Sequence, residues 1–464
     1  MNSLGTLKFI RQNRKQHMDR LAELIAIQSV STDSGHLEEV KRCSRWLADY
    51  LAGMGMEGIQ LIPTELGHPV IYAEHLKAGP DAPVMLVYGH YDVQPPDPLQ
   101  EWESPPFEAS VRGDRLYGRG SSDMKGQLMA VLIALEAAIQ SDSFPLNLKF
   151  LIEGQEEIGS RNLKGIIEEH GTLFEADFCL NPDAGMWAEN RPAITYGLRG
   201  LVDFELRIYG PSKDLHSGSF GGTIHNPAQA LCELIGGMHD DEGRVTLDGF
   251  YDKVRFTDDG EKEKLAELGR KDEYFLDATA VSQLWGEPGY TSFERTATRP
   301  TLEVHGLLSG YTGQGTKTII PSHAMAKISM RIVPNQDPYE IRDLFRAYLE
   351  EKIPRTVRWE LTSFSQSYPA LTNIDSYFVK AMDEALKQIW ETPTTYQLGG
   401  GSIPVVAFLQ HGLGVESVLT GYSLPDDDAH SPNESLHLPT WQKGIESLIY
   451  FFEKFNGIGS SKRS

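Results

Sequence analysis

The sequence predicts an α/β protein in which a mostly parallel sheet, flanked by helices, is interrupted by an inserted ferredoxin-like domain. Strands and helices alternate through the first 181 residues, which is the pattern of a helix-covered parallel sheet. A second region, from residue 197, has the order βαββαβ with the polar and apolar alternation of half-exposed strands. With 464 residues, the chain is also longer than a single hydrophobic core usually supports.

The first region begins with two amphipathic helices, predicted over residues 14–28 and 37–54 from apolar residues at helical spacing. Three strands and two helices are then predicted in a βαβαβ series: 84–88, 127–139, 147–153, 163–170 and 178–181. A hairpin turning at Gly113 and Asp114 is predicted between the first strand and its helix. Ligands of such sheets bind beyond the carboxyl ends of the strands, so the site is expected there.

The second region reads as strand "LVDFELRIYG", helix "NPAQALCELIGGM", strands "TLEVHGL" and "AKISMRIVP", helix "DPYEIRDLFRAYLEEK" and strand "TVRWELTSF". Residues 239–300 are predicted to be an insertion within it. After residue 375 the chain returns to a helix–strand–helix pattern, with "VVAFLQHG" as the strand. The predicted domains are therefore 1–196 plus 376–464, and 197–375.

Composition excludes several classes of function. The formal charge of −22 argues against nucleic-acid binding, which requires a basic surface. No apolar run resembles a signal peptide or a membrane helix, so a cytoplasmic protein is expected. The three cysteines are too few and scattered for a thiolate metal site, so any metal must bind His and carboxylates.

Acidic and histidine side chains follow successive predicted strands. They are His90, Asp123, Glu156, Glu157 and Asp183. Several buried carboxylates would repel one another unless cations neutralised them, and oxygen ligands with a few imidazoles suit divalent ions. The pattern predicts two ions, zinc or manganese.

The segments "GHYDVQPP", "GRGSSDMKG", "EGQEEIGS" and "NPDAG" resemble, in order and spacing, the metal-binding segments of the M20 family of dinuclear metallopeptidases. The segments "KDLHSGSFGG", "GYTGQGTKTIIPS", "ISMRIVPNQ" and "GGSIPV" resemble its dipeptidase branch. One segment departs from that branch, because Leu398 and Gly399 stand where Arg-Glu is usual.

The resemblance implies a metal site in which Asp123 bridges two ions, His90 and Asp183 complete one, and Glu157 and His430 complete the other. Glu156 would be the general base that takes a proton from the attacking water and returns it to the leaving amine. Two alternatives remain open. His437 could replace His430, and Glu156 could be the ligand with Glu157 as the bystander.

The remaining implied roles concern orientation and substrate binding. Asp92 is placed to accept the far ring N–H of His90 and fix its tautomer. The resemblance implies that His216 polarises the scissile carbonyl. It also implies that the substrate carboxylate is bound by Arg331, Ser402 and Gly401. It also implies a homodimer in which the inserted domain serves as lid and dimerisation domain and His216 serves the partner's site. His225 and His323 are expected to be structural.

The sequence therefore predicts a cytoplasmic, two-metal hydrolase that cleaves dipeptides. One alternative is an N-acyl-amino-acid amidohydrolase, and another is a catalytically silent metal- or ligand-binding protein. A nucleotide-binding module is disfavoured because "GRGSSDMKG" lacks the P-loop ending and the full dinucleotide glycine pattern. The family pattern further implies a cis peptide bond between Asp123 and Met124.

Overall fold

The computed structural model describes residues 3–140, 144–255, 257, 260, 262–263, 265 and 269–457. Contacts divide the chain into two compact units, residues 1–196 with 372–397 and 403–464, and residues 197–371 with 398–402. Within the described ranges the helices are α1 Ser3–Gln12, α2 Arg14–Ile25, α3 Leu37–Gly53, α4 Lys125–Ile139, α5 Leu163–Phe174, α6 Ser217–Phe220, α7 Pro227–Gly236, α8 Asp272–Thr279, α9 Ser292–Ala297, α10 Pro338–Lys352, α11 Tyr377–Trp390, α12 Pro404–Leu413 and α13 Leu438–Glu453.

The strands of the described residues fall into one large mixed sheet, a four-stranded sheet and two small ones. They are β1 Glu57–Ile62, β2 Val70–His75, β3 Val84–His90, β4 Ser110–Arg112, β5 Arg115–Tyr117, β6 Asn147–Glu153, β7 Phe178–Asn181, β8 Ala193–Leu198, β9 Gly200–Tyr209, β10 Leu215–His216, β11 Thr301–Ser309, β12 Ile319–Ile320, β13 His323–Ile332, β14 Arg358–Ser367, β15 Ala370–Leu371, β16 Thr395–Gly399, β17 Ser417–Thr420 and β18 Ser435–His437.

The first unit is built on the large sheet, whose central strands β6, β3, β7 and β17 are mutually parallel. The predicted βαβαβ series is confirmed, and β6 and β7 have the predicted bounds. Helix α4 is apolar on almost every side and nearly all of its residues are buried. The predicted hairpin is also confirmed, since β4 and β5 flank Gly113 and Asp114.

Two parts of the first unit differ from the prediction. Helix α1 and the antiparallel strands β1 and β2 precede the strand predicted to be first. Strand β1 is mostly exposed, and its second residue, Gly58, has a positive φ, so its sequence lacks a regular apolar alternation. The sheet is accordingly mixed at its edges and parallel at its centre.

The prediction of a strand at "VVAFLQHG" is wrong, because Pro404–Leu413 is a helix. Pro404 occupies the first turn, where its missing N–H leaves no hydrogen bond unmade. Gly414 ends the helix with φ of +68°. A short run of apolar residues does not by itself distinguish a strand from a buried helix, and these flanking residues decide it.

The second unit contains the predicted βαββαβ order in β9, α7, β11, β13, α10 and β14. Its antiparallel sheet has the strand order β11-β13-β9-β14, which is the ferredoxin-like arrangement. Alternate residues of β9 and β13, including Phe204, Leu206 and Ile328, are buried in a core shared with Leu231 and Phe345 of the helices. Among the described helices, none has the length and apolar character required to cross a membrane.

Candidate metal centre

Several predicted metal ligands of the first unit lie at or just after the carboxyl ends of strands in the large sheet. His90 is the last residue of β3 and is fully buried. Glu156 and Glu157 occupy a short 3-10 helix just after β6, and Asp183 follows β7 by two residues. The parallel pairing of β3 with β6 and β7 brings these ends to one edge of the sheet.

The side-chain atoms of this group approach one another closely. His90 Nε2 is 3.2 Å from one oxygen of Asp123 and 3.9 Å from Asp183 Oδ1. His430 Nε2 is 3.0 Å from the other Asp123 oxygen and 3.2 Å from Glu157 Oε2. Asp123 therefore lies between two histidines, each of which also faces a second carboxylate.

These separations fit a metal site. Atoms bound to one zinc ion at about 2.0–2.2 Å lie about 3–3.5 Å apart. His90 Nε2 is buried and makes no hydrogen bond among the described residues, although Asp123 is beside it. A buried ring nitrogen without a donor or acceptor partner is costly unless it binds an ion. The donor set of imidazole and carboxylate matches zinc and manganese chemistry.

The pKa shifts of the clustered side chains also indicate a cation site. Burial raises the pKa of Asp183 to about 7, and it raises the pKa of Glu156 well above its usual value. Burial opposes the ionisation of Asp123 as well, yet the proximity of His430 and His90 lowers its pKa. Contact with Asp123 and Glu157 raises the pKa of His430 to about 10. Protons therefore neutralise the carboxylates of the metal-free cluster. Divalent cations would neutralise the same carboxylates.

Glu434 holds the loop that carries Asp123. Its fully buried carboxylate accepts the backbone N–H groups of Gly120, Ser122 and Asp123 at 2.9, 2.8 and 2.9 Å. Arg119 donates to the same carboxylate at 2.7 Å and neutralises it. The predicted cis peptide bond between Asp123 and Met124 is confirmed. Sequence reasoning missed Glu434, although it lies in the same segment as His430, because pairing across 311 residues is not visible in a sequence.

Asp92 and Gln94 contact residues predicted to be metal ligands. The carboxylate of Asp92 accepts the backbone N–H groups of Glu156 and Glu157 at 3.2 and 3.1 Å, so it positions that short helix. Its Oδ1 is 3.5 Å from His90 Nδ1, while the Asp92 carbonyl oxygen is closer, at 3.1 Å. Gln94, which sequence reasoning missed, donates to Glu157 Oε2 at 2.7 Å.

The two glutamates have different surroundings. His90, Asp123 and Glu157 present ligand atoms that all lie within 4.8 Å of one another. The half-buried carboxylate of Glu156 has no hydrogen bond or ion pair among the described residues, although its pKa responds to His90 and Asp183. Glu156 thus lies beside the cluster and interacts electrostatically with it. No hydrogen-bonded partner among the described residues would restrain proton transfer by its carboxylate.

The alternative late ligand, His437, has both ring nitrogens engaged elsewhere. Nδ1 lies 2.8 Å from Thr440 Oγ1, and Nε2 lies 3.2 Å from Asp114 Oδ2. His430 is instead in contact with the carboxylates of the cluster, in a loop where it adopts φ of +65°.

In the second unit, Arg331 lies near the end of β13 and donates to Ser402 Oγ at 2.9 Å. Ser402 Oγ in turn donates to the carbonyl oxygen of Arg199 at 2.5 Å. Gly401 is next to Ser402 and has open space where a side chain would be. The structure therefore brings the three predicted carboxylate-binding residues together.

His216 is exposed at the end of β10, where its Nδ1 accepts the Gly218 N–H at 3.0 Å. In the neutral ring Nε2 must then carry the proton, which makes it a donor. His225 Nδ1 lies 2.7 Å from Thr356 Oγ1, and His323 Nδ1 lies 3.2 Å from Ser322 Oγ.

Comparison with known proteins settles the family. Residues 86–454 match the model of Peptidase family M20/M25/M40. This chain is a member of the M20 peptidase family. As such it is an enzyme, a metallopeptidase of the hydrolase class.

Relatives of this M20 peptidase cover nearly its whole length. It is 30% identical over 462 residues to the Cys-Gly metallodipeptidase DUG1 of Candida albicans, covering 95% of this chain and 94% of the relative. The crystal structure of the M20 family metallo-carboxypeptidase Sso-CP2 from Sulfolobus solfataricus has a TM-score of 0.86 and 33% identity, covering 95% of this chain and 99% of that one. The di-peptidase Dug1p from Saccharomyces cerevisiae has a TM-score of 0.83 and 26% identity, with coverage of 98% and 99%.

Proposed function

We propose that this M20 peptidase hydrolyses dipeptides with the help of two divalent ions, zinc or manganese, held by His90, Asp123, Glu157, Asp183 and His430. The observation that carries the proposal is the position of Asp123 between His90 and His430, at 3.2 and 3.0 Å. Two ions held there would lower the pKa of a water molecule and polarise the scissile carbonyl. The relatives include proteins named as dipeptidases.

Glu156 takes the proton of the attacking water and returns it to the leaving amine. Its raised pKa suits both steps, because a carboxyl group with a higher pKa is a stronger base than an ordinary glutamate. Its lack of a hydrogen-bonded partner among the described residues supports this role over that of a ligand. Asp92 positions Glu156 and Glu157 through their backbone N–H groups.

Four residues of the second unit are assigned to the substrate. Arg331 and Ser402, with Gly401, bind the carboxylate, and their mutual contact supports a common role. His216 donates from Nε2 to the carbonyl oxygen as negative charge develops on it. We further propose that the chain forms a homodimer in which His216 serves the partner's site, and that it acts in the cytoplasm, where its unpaired cysteines would stay reduced.

A second candidate function is the hydrolysis of N-acyl amino acids. Leu398 is buried and Gly399 has no side chain, so this segment offers no carboxylate to the ammonium group of a dipeptide. An acylated substrate has no such group and would not require one.

The deciding experiment removes the metal and reconstitutes the protein in turn with zinc, manganese and cobalt. Each form is then assayed with a panel of dipeptides and with acetylated and succinylated amino acids. Dipeptide hydrolysis with kcat/KM at least tenfold above that of any acylated amino acid is expected. The reverse preference would replace the proposed function with the second candidate.

A further inference from the structure

Gln94 lies four residues after His90, in the segment "GHYDVQPP". The residue before it is held in place, because Val93 is fully buried and its N–H donates to the carbonyl oxygen of Ser29 at 3.0 Å. The residue after it is Pro95, which restricts the backbone of Gln94 itself. The half-buried side chain of Gln94 therefore extends from a constrained backbone.

The side chain of Gln94 contacts Glu157. Its Nε2 donates to Glu157 Oε2 at 2.7 Å and lies 3.4 Å from the Glu157 carbonyl oxygen. An ionised carboxylate and a backbone carbonyl only accept hydrogen bonds, so the amide nitrogen of Gln94, rather than its oxygen, must face them. A hydrogen bond to a charged oxygen is stronger than one between neutral groups. The amide thus restrains the Glu157 carboxylate in one orientation.

The Glu157 oxygen that accepts from Gln94 also faces His430, whose Nε2 is 3.2 Å away. A carboxylate oxygen has two lone-pair directions, so one can accept the amide N–H while the other binds an ion. The Glu157 side chain is only 3% exposed, whereas that of His430 is 53% exposed. Of this pair of predicted ligands, the carboxylate is therefore the one that surrounding residues can hold in place.

The other predicted ligand pair, His90 and Asp183, has different partners. His90 Nδ1 lies 3.1 Å from the Asp92 carbonyl oxygen, and the Asp183 backbone N–H donates to Asn181 Oδ1 at 2.9 Å. In the part of the chain that the structure describes, Gln94 makes no hydrogen bond with either ligand of this pair. Loss of the Gln94 amide should therefore disturb one ligand pair and not the other.

We propose that Gln94 is a positioning residue for the ion held by Glu157 and His430, and that it sets the affinity of that ion alone. This inference rests on the proposed function, because it assumes the two-metal site. A ligand that is already oriented loses less conformational freedom when the ion binds. Removal of a group that is hydrogen-bonded to a metal ligand typically lowers metal affinity by about tenfold to a hundredfold.

The test measures both zinc dissociation constants by titrating metal-free protein in competition with a chromophoric chelator. Gln94→Leu removes the amide and keeps a side chain of similar size. One dissociation constant should rise by about tenfold to a hundredfold, while the other changes less than about threefold. The matched control is Gln28→Leu at an exposed position, which should leave both constants unchanged.

Two further backgrounds identify the affected ion. In His430→Ala, which lacks a ligand of the proposed ion, adding Gln94→Leu should not change the affinity of the remaining ion. In Asp183→Asn, adding Gln94→Leu should weaken the remaining ion by about tenfold to a hundredfold. Either background decides the assignment by itself.

Three results would overturn the proposal. They are an equal weakening of both ions in Gln94→Leu, unchanged dissociation constants in that variant, and a weakening of the remaining ion in the His430→Ala background. The first would make Gln94 a structural residue of the whole cluster, and the third would assign it to the other ion.

These binding measurements require no substrate, so they separate this inference from the proposed function. If wild type binds two ions and Gln94→Leu weakens one of them, but no dipeptide is hydrolysed, the proposed function fails and the role of Gln94 stands. If wild type hydrolyses dipeptides and Gln94→Leu binds both ions normally, the role of Gln94 fails alone. Fewer than two ions bound by wild type would overturn both.

Discussion

The first unit gathers carboxylates at the end of its sheet, whereas the second unit gathers guanidinium groups at the end of its own. Asp123, Glu157 and Asp183 face two histidines, and the pKa of Asp183 rises to about 7. Burial and the nearby charge of Arg331 lower the pKa of Arg199 to about 10, although Glu303 opposes part of that shift. In both places a cluster of like charges is partly withdrawn from water, and the sign of that charge indicates whether a cation or an anion is required.

The largest effect of a substitution on metal content and activity is expected at Asp123. Asp123→Asn removes the charge shared between His90 and His430, so both ions and all measurable hydrolysis should be lost together. Metal content per chain, measured by plasma mass spectrometry, should fall from two to less than one. The matched control is Asp19→Asn on the surface of α2, which should retain both ions. Two ions retained in Asp123→Asn would exclude the bridging role.

Replacing Glu156 should separate catalysis from metal binding. Glu156→Gln removes the base but no ligand, so turnover should fall by about a hundredfold to ten-thousandfold with two ions still bound. The measurement pairs kcat with metal analysis on the same sample. Loss of an ion in this variant would move Glu156 into the ligand set and revive the alternative in which Glu157 is the bystander.

His216→Ala should lower kcat by about a hundredfold or more, because one oxyanion donor is worth about 2.7–4 kcal/mol. If His216 serves the partner's site, co-expression of His216→Ala with Glu156→Gln should produce mixed dimers that are active. In a mixed dimer one site has both an intact base and an intact donor. Verified mixed dimers that remain as inactive as the parents would place His216 within its own chain or outside the reaction.

The smallest expected effect concerns a buried carboxyl group beside the cluster that is held by neutral donors. Tyr88 and Ser160 donate to Glu153 at 3.0 and 2.8 Å, and burial raises the pKa of Glu153 to about 8. The folded protein therefore keeps a proton that the unfolded chain loses above about pH 4.5, and stability falls as the pH rises from that value to about 8.

Glu153→Gln should remove this loss, so that its free energy of unfolding changes less between pH 5.5 and 8.5 than that of wild type. The expected difference is on the order of a few kcal/mol, measured by urea unfolding. Exposed Glu169→Gln serves as the control and should retain the wild-type dependence. Equal pH dependence in wild type and Glu153→Gln would show that Glu153 is ionised in the folded protein.

Much of the fold was predictable because local patterns determine it. Strands β6 and β7 are mostly buried and have clear ends, and parallel pairing then places their carboxyl ends together. That geometry explains why His90, Glu157 and Asp183 could be proposed from the sequence. Strand β1 could not be predicted from the sequence, because its residues are largely exposed and their apolar alternation is irregular.

The features that were missed depend on contacts between distant residues. Glu434 holds the Asp123 loop across 311 residues, and Arg199 contacts Gly400 across 201. Each is a single charged residue without a local periodicity, so only the folded chain shows what it contacts. The helix Pro404–Leu413 was missed for a different reason, since its apolar run is too short to indicate a period.

The number of metal ions at which activity saturates tests the central claim most directly. Metal-free protein is titrated with zinc, and dipeptide hydrolysis and bound zinc are measured at each step. Activity should rise to a maximum at two ions per chain and remain low at one, because Asp123 lies between two histidines that each face a separate carboxylate. Full activity at one ion per chain, or hydrolysis by the metal-free protein, would contradict the two-metal site.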